Sequence, residues 1–138
     1  MSGYAVRGGC PGTAGELDVE FLAARTAPGQ VRTLVELRLA RWGLAVLADD
    51  VTVIASELVT NAVVHGPEAG PIRVRLRREA RGVLLEVWDS SGSMPVRKRD
   101  AEGLGGRGLP IVEALATECG VCPTEPQGKW AWARCRAV

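Results

Sequence analysis

Residues 51–64 carry Val51, Val53, Ile54, Ala55, Leu58, Val59, Ala62, Val63 and Val64, so a helix here is apolar around most of its circumference. Left alone it would expose that surface to water, and the rest of the chain has to supply a layer that buries it. Asp49 or Asp50 offers an N-cap, and His65-Gly66-Pro67 ends the run.

The covering layer is written in the segments around it. Ile72, Val74 and Leu76 alternate with arginines over 72–78, and Val83, Leu85 and Val87 repeat the period of two beyond the turn Glu79-Ala80-Arg81-Gly82. This predicts an antiparallel hairpin with one apolar and one wet face. An earlier alternation, from Glu16 through Leu17, Asp18, Val19 and Glu20 to Phe21, reads as a half-buried strand that Ala27-Pro28-Gly29 breaks. Over 30–42, Val31, Leu34, Val35, Leu37 and Leu39 fall mostly on one side of a helix that Gly43 is placed to stop. Residues 109–118 read as a further helix with Pro110 in its first turn and Gly120 closing it, before strands around Val121 and over 129–136.

Strands and helices are segregated rather than strictly alternating. The expected fold class is therefore an α/β (α+β) two-layer sandwich, with a mixed, mainly antiparallel sheet and helices on one face. At 138 residues one domain suffices, assigned to 16–138. The first fifteen residues hold five glycines and a proline and read as a loosely ordered N-terminal arm to which no function is assigned.

Charge and cysteine content exclude several classes. A formal net charge of +1 provides no global field for nucleic acid or an anionic membrane. No apolar run approaches the roughly eighteen residues of a membrane span, and the N-terminus lacks the apolar core of a signal peptide, so the expectation is a cytosolic protein. Four cysteines in a chain rich in aliphatic residues do not make a disulfide framework. Cys119-Gly120-Val121-Cys122 matches C-x-x-C, yet a metal centre needs further ligands and the one histidine, His65, is distant in sequence.

The chemistry starts with Glu57 and Asn61, four apart on the apolar helix, with His65 a further turn on. Burying a carboxylate or an amide without partners costs about 1–3 kcal/mol, which favours a cleft or a ligand; on spacing alone a solvated helix face suits the pair equally. Asp89 ends the second hairpin strand just where Ser90-Ser91-Gly92 opens a loop, a ligand-facing position that turn aspartates also occupy. The segment 90–108 is long and glycine-rich, with the charged run Arg97-Lys98-Arg99-Asp100, which reads as solvated loop.

Its end, Gly103-Leu104-Gly105-Gly106-Arg107-Gly108, leads into the helix beginning at Leu109, where unpaired backbone N–H groups and the helix dipole attract phosphate. The G-x-G-x-x-G spacing is met, but a dinucleotide fold needs a strand immediately before it, and a charged loop stands there instead. Neither a G-x-x-x-x-G-K-[ST] loop nor an H-R-D catalytic loop is present.

What singles the chain out is the order of these pieces: Glu57 and Asn61 on a helix, Asp89 after a strand, a glycine turn opening a helix, and Gly128-Lys129 before the last strand. The segments Ser56-Glu57-Leu58-Val59-Thr60-Asn61-Ala62-Val63-Val64-His65, Val87-Trp88-Asp89-Ser90-Ser91 and Gly105-Gly106-Arg107-Gly108-Leu109-Pro110-Ile111-Val112 resemble the N box and the two glycine boxes of the histidine-kinase-like (GHKL) ATPases. Over about 28–134 the chain most resembles the actinobacterial single-domain anti-sigma-factor serine/threonine kinases, a likeness that Arg41-Trp42-Gly43-Leu44 and Gly128-Lys129-Trp130-Ala131-Trp132-Ala133 share.

The resemblance implies ATP and Mg²⁺ as cofactors, with Asn61 as the Mg²⁺ ligand and Glu57 activating the attacking hydroxyl. It implies Asp89 accepting from the adenine amino group, and Gly106, Arg107 and Gly108 wrapping the phosphates. His65, Gly92, Gly103, Gly105, Leu109 and Lys129 complete the implied nucleotide set. It further implies a sigma factor and an anti-anti-sigma antagonist as partners, and a homodimer. Trp130 departs from the family pattern, which places Thr after Gly-Lys and with it a hydroxyl near the nucleotide. A docking module without transfer activity, or a non-nucleotide interaction domain, are the competing expectations.

Overall fold

The structure is a computed structural model that describes residues 16–65, 70–91 and 108–137. The elements run β1 (Leu17–Leu22), α1 (Ala27–Arg41), a short 3-10 turn (Ala45–Leu47), α2 (Ala48–His65), β2 (Pro71–Glu79), β3 (Gly82–Asp89), α3 (Gly108–Leu115), β4 (Glu118–Pro123) and β5 (Lys129–Arg136). The strands form one sheet in the order β1-β2-β3-β5-β4, and every neighbouring pair is antiparallel. The helices lie on one face, giving the expected two-layer α+β sandwich. The N-terminal arm 1–15 lies outside the described residues.

Helix α2 is the centre of the core. Val51, Ile54, Ala55, Leu58, Val59 and Ala62 are buried at alternating spacings of three and one, one stripe of a 3.6-residue period. They meet Ile72, Val74 and Leu76 of β2 and Val83, Leu85 and Val87 of β3, the apolar half of each strand's alternation. Each such aliphatic side chain contributes about 1.5–3 kcal/mol when fully removed from water. The helix begins at Ala48, so Asp49 and Asp50 stand inside its first turn rather than at the cap, where their charge still favours the positive end of the helix dipole.

Helix α1 adds Ala27, Val31, Val35 and Leu39 to the same core. Ala27-Pro28-Gly29 is its first turn and not a break, because a proline there has no intrahelical N–H bond to lose. Gly43, at φ +74°, ends it. The Leu44 N–H donates to the Leu39 carbonyl and the Gly43 N–H to that of Ala40, the paired bonds of a Schellman stop.

The hairpin turns through Ala80 and Arg81, the latter at φ +69°, as two-residue hairpin loops require of a central residue. Gly82 then sits so close to β5 that a Cβ would overlap the Cys135 carbonyl. Helix α3 stops at Leu115, short of the expected 118. Thr117 N–H donates to the Arg134 carbonyl, Glu118 already pairs with Arg134 in the sheet, and Gly120 lies inside β4 against the Trp132 ring.

The hairpin's polar face is not simply wet. Arg75 and Arg77 are buried and Glu86 is 0% exposed. Strand register explains it, since Arg75 stands opposite Glu86, whose carboxylate lies 3.2 Å from Arg77 Nε and 3.8 Å from Arg75 Nη1. Nearer the edge, Arg73 makes a bidentate pair with Asp18 at 2.9 and 3.0 Å. Trp130 and Cys122 are buried on this outer face with Trp88 and Trp132 beside them, a second apolar cluster separate from the main core.

Candidate functional site

Sheet register brings Asp89, the last residue of β3, directly opposite Lys129, the first of β5. Both belong to the face that carries Val83, Leu85 and Val87, the side on which the helices pack. Asp89 is 6% exposed and Lys129 5%. The Lys129 ammonium donates to Asp89 Oδ1 at 2.9 Å and to Oδ2 at 3.2 Å, and the Ser91 backbone N–H donates to Oδ1 at 2.8 Å. A carboxylate accepts at about four positions, so these three leave one, on Oδ2.

Local sequence builds this corner. A strand-ending aspartate that captures the N–H two residues on makes an Asx turn, which fixes where the chain leaves the sheet. On the other side Gly128, at φ +95°, lets β5 start hard against β3. A Cβ there would lie 2.5 Å from the Trp88 ring and 2.7 Å from the Asp89 carbonyl oxygen. Thr124 supports the approach, accepting from Trp88 Nε1 at 3.0 Å through its hydroxyl and donating its N–H to the Gly128 carbonyl.

Glu57 and Asn61 stand one turn apart on α2, both half-buried, at the border of the buried stripe. Neither makes a hydrogen bond or an ion pair among the described residues, so a carboxylate and an amide are left with capacity to bind something else. His65 is the last residue of α2, and Gly108 and Leu109 open α3, which packs along α2 and buries Val112. Gly92, Gly103, Gly105, Gly106 and Arg107 lie outside the described residues, as does the run Arg97-Lys98-Arg99.

A model of the histidine kinase-like ATPase domain matches residues 21–135. The chain belongs to this family. A crystal structure of the RsbU and RsbW domains of Rv1364c from Mycobacterium tuberculosis is similar to this histidine kinase-like ATPase domain at 26% identity and a TM-score of 0.63, covering 88% of this chain and 31% of that one. The chain thus spans about a third of the length of that solved relative. Among curated proteins nothing matches.

In the histidine kinase-like ATPase domain described here, Trp130 pairs with Trp88 on the outer face, opposite to the side that holds Asp89 and Lys129. Cys119 and Cys122 are also split by strand alternation, Cys119 packing on the main core and Cys122 on the outer cluster, so the C-x-x-C thiols do not share a site. The described residues contain no group of three or more His, Cys, Asp and Glu suited to a metal. No described helix is long and apolar enough to cross a membrane. The Asp89–Lys129 pair is the contact that sequence reading missed, and its only signal there is the position of both residues at strand ends.

Proposed function

We propose that this domain binds Mg·ATP and transfers the terminal phosphoryl group to a serine or threonine of an antagonist protein, as part of a cytosolic switch that sequesters a sigma factor. The observation that carries the nucleotide reading is Asp89: a buried, oriented carboxylate with one acceptor position open, suited to an exocyclic amino group such as that of adenine. Glu57 and Asn61, half-buried and without partners among the described residues, support the phosphate end of the same reading.

The residues fit the metal that the family implies. Mg²⁺ is commonly held by one or two protein oxygens together with substrate phosphates and water, so the Asn61 amide oxygen suffices as a protein ligand and no acidic cage is needed. Bound there, the ion supplies neutralisation of phosphate charge. Glu57, one turn away, accepts the proton of the attacking hydroxyl as its oxygen bonds to the γ-phosphorus and the bond to the β-phosphate oxygen breaks. The backbone N–H groups at the start of α3 favour phosphate at that helix end.

The likeness to a protein whose solved structure carries an RsbW domain supports the partners proposed. A docking module without transfer activity would draw on Trp130, but that side chain lies on the other face of the sheet from Asp89 and removes nothing from the corner built around the carboxylate. The test is calorimetric titration of the full chain with ATP and ADP, with and without Mg²⁺. Saturable binding that Mg²⁺ strengthens is expected; no heat with either nucleotide would overturn the reading.

A further inference from the structure

We infer that Lys129 is a positioning residue for base recognition: it holds the Asp89 carboxylate so that Oδ2 presents a fixed acceptor, which selects a 6-aminopurine over a 6-oxopurine. This rests on the nucleotide reading above and assigns Lys129 a place at the base, away from the phosphates. Cross-strand register sets Lys129 against Asp89, and both are almost fully buried. The ammonium touches both carboxylate oxygens, while Ser91 N–H adds a second donor to Oδ1 alone.

The consequence is an asymmetric carboxylate. Oδ1 is saturated, and Oδ2, with the longer contact of 3.2 Å, keeps one position. A carboxylate held this way accepts and cannot donate. A 6-amino group offers the donor it needs, whereas a 6-oxo group sets an oxygen against it and leaves two buried acceptors facing each other. Lys129 opposes that preference little, because two of its three N–H groups are already committed to the Asp89 oxygens. Without the ammonium, Asp89 would be a buried charge held by one backbone N–H, and the fixed acceptor would be lost.

The experiment compares wild type, Lys129→Met, Lys129→Arg and Lys129→Gln as full chains, titrating each with Mg·ATP and Mg·ITP, which differ at purine position 6. Wild type is expected to favour ATP by about 100-fold or more. Lys129→Met is expected to lose most of that ratio and Lys129→Arg to restore much of it, with thermal melts reporting the fold. If Lys129→Met does not fold, Lys129→Gln, which keeps Asp89 and an uncharged N–H donor beside it, decides the matter: its ratio is expected to fall well below that of wild type. A folded variant lacking Lys129 that keeps the wild-type ATP:ITP ratio overturns this inference and leaves the nucleotide reading standing. A wild type that binds neither nucleotide overturns both.

Discussion

The Arg75 guanidinium lies over the ring of Trp130, its carbon 4.5 Å from the ring centroid, on the side of the sheet away from the helices. Trp130 is therefore a structural residue with a cation–π partner. Trp130→Ala should lower stability by about 3 kcal/mol, read by urea denaturation, while ATP affinity of the folded variant stays at the wild-type level. A folded variant that has lost nucleotide binding would place Trp130 in the site after all.

Asn61 sits at the border of the α2 stripe, without hydrogen-bond partners among the described residues, so removing its amide deprives the fold of little. Asn61→Ala should melt within a few degrees of wild type and lose the Mg²⁺-dependent part of ATP binding. Unchanged affinity in the presence of Mg²⁺ would sink the ligand assignment.

The role proposed for Glu57 is separate from that of Asn61. Glu57→Ala should still bind Mg·ATP and fail to pass phosphate to an antagonist protein, with a loss of about 100-fold or more in transfer rate. The check is a phosphotransfer assay run beside calorimetry on the same sample, and undiminished transfer would rule the role out.

Burial pushes the Cys135 thiol up from 9.0 to about 11, with the negative field of Asp50 adding to it. The folded chain thus keeps its proton where the unfolded chain has released it. That contribution is complete below pH 9 and is lost as pH rises from about 9 through 11, on the order of 2 kcal/mol in all. Urea melts across this range should show wild type losing more stability than Cys135→Ala. Parallel curves for the two would contradict the prediction.

Gly128 combines φ +95° with a Trp88 ring that leaves no room for a methyl group. Gly128→Ala should cost about 2 kcal/mol or more and loosen the start of β5, which a thermal melt will register. A variant as stable as wild type would show that the tight approach is dispensable.

Much of this was legible in the residues because the signals are local. The α2 stripe, the alternation of β2 and β3 and the stop at Gly43 each follow from side chains within a few positions of one another. The order of Glu57, Asn61, Asp89 and the glycine turn pointed to the family that the comparison shows. What escaped depends on register between distant strands. Asp89 and Lys129 are forty residues apart in sequence, and only the β3–β5 pairing sets them opposite one another. The burial of Arg75, Arg77 and Glu86 was hidden for the same reason: alternation marks a polar face, but it does not reveal that opposite charges will meet across it. Helix α3 ended early because pairing of β4 with β5 outweighed the local helical preference of residues 116–118.

The strand order leaves β1 and β4 as the sheet's two margins. A marginal strand turns one row of backbone donors and acceptors outward, an invitation for another chain to extend the sheet into an aggregate. β1 carries exposed Glu20, a charge that a second copy laid against the strand would have to bring beside its own, and β4 is short and closes on Pro123, which has no N–H to offer. Among the described residues both margins thus discourage growth of the sheet beyond five strands, which favours its faces and helices for any self-association.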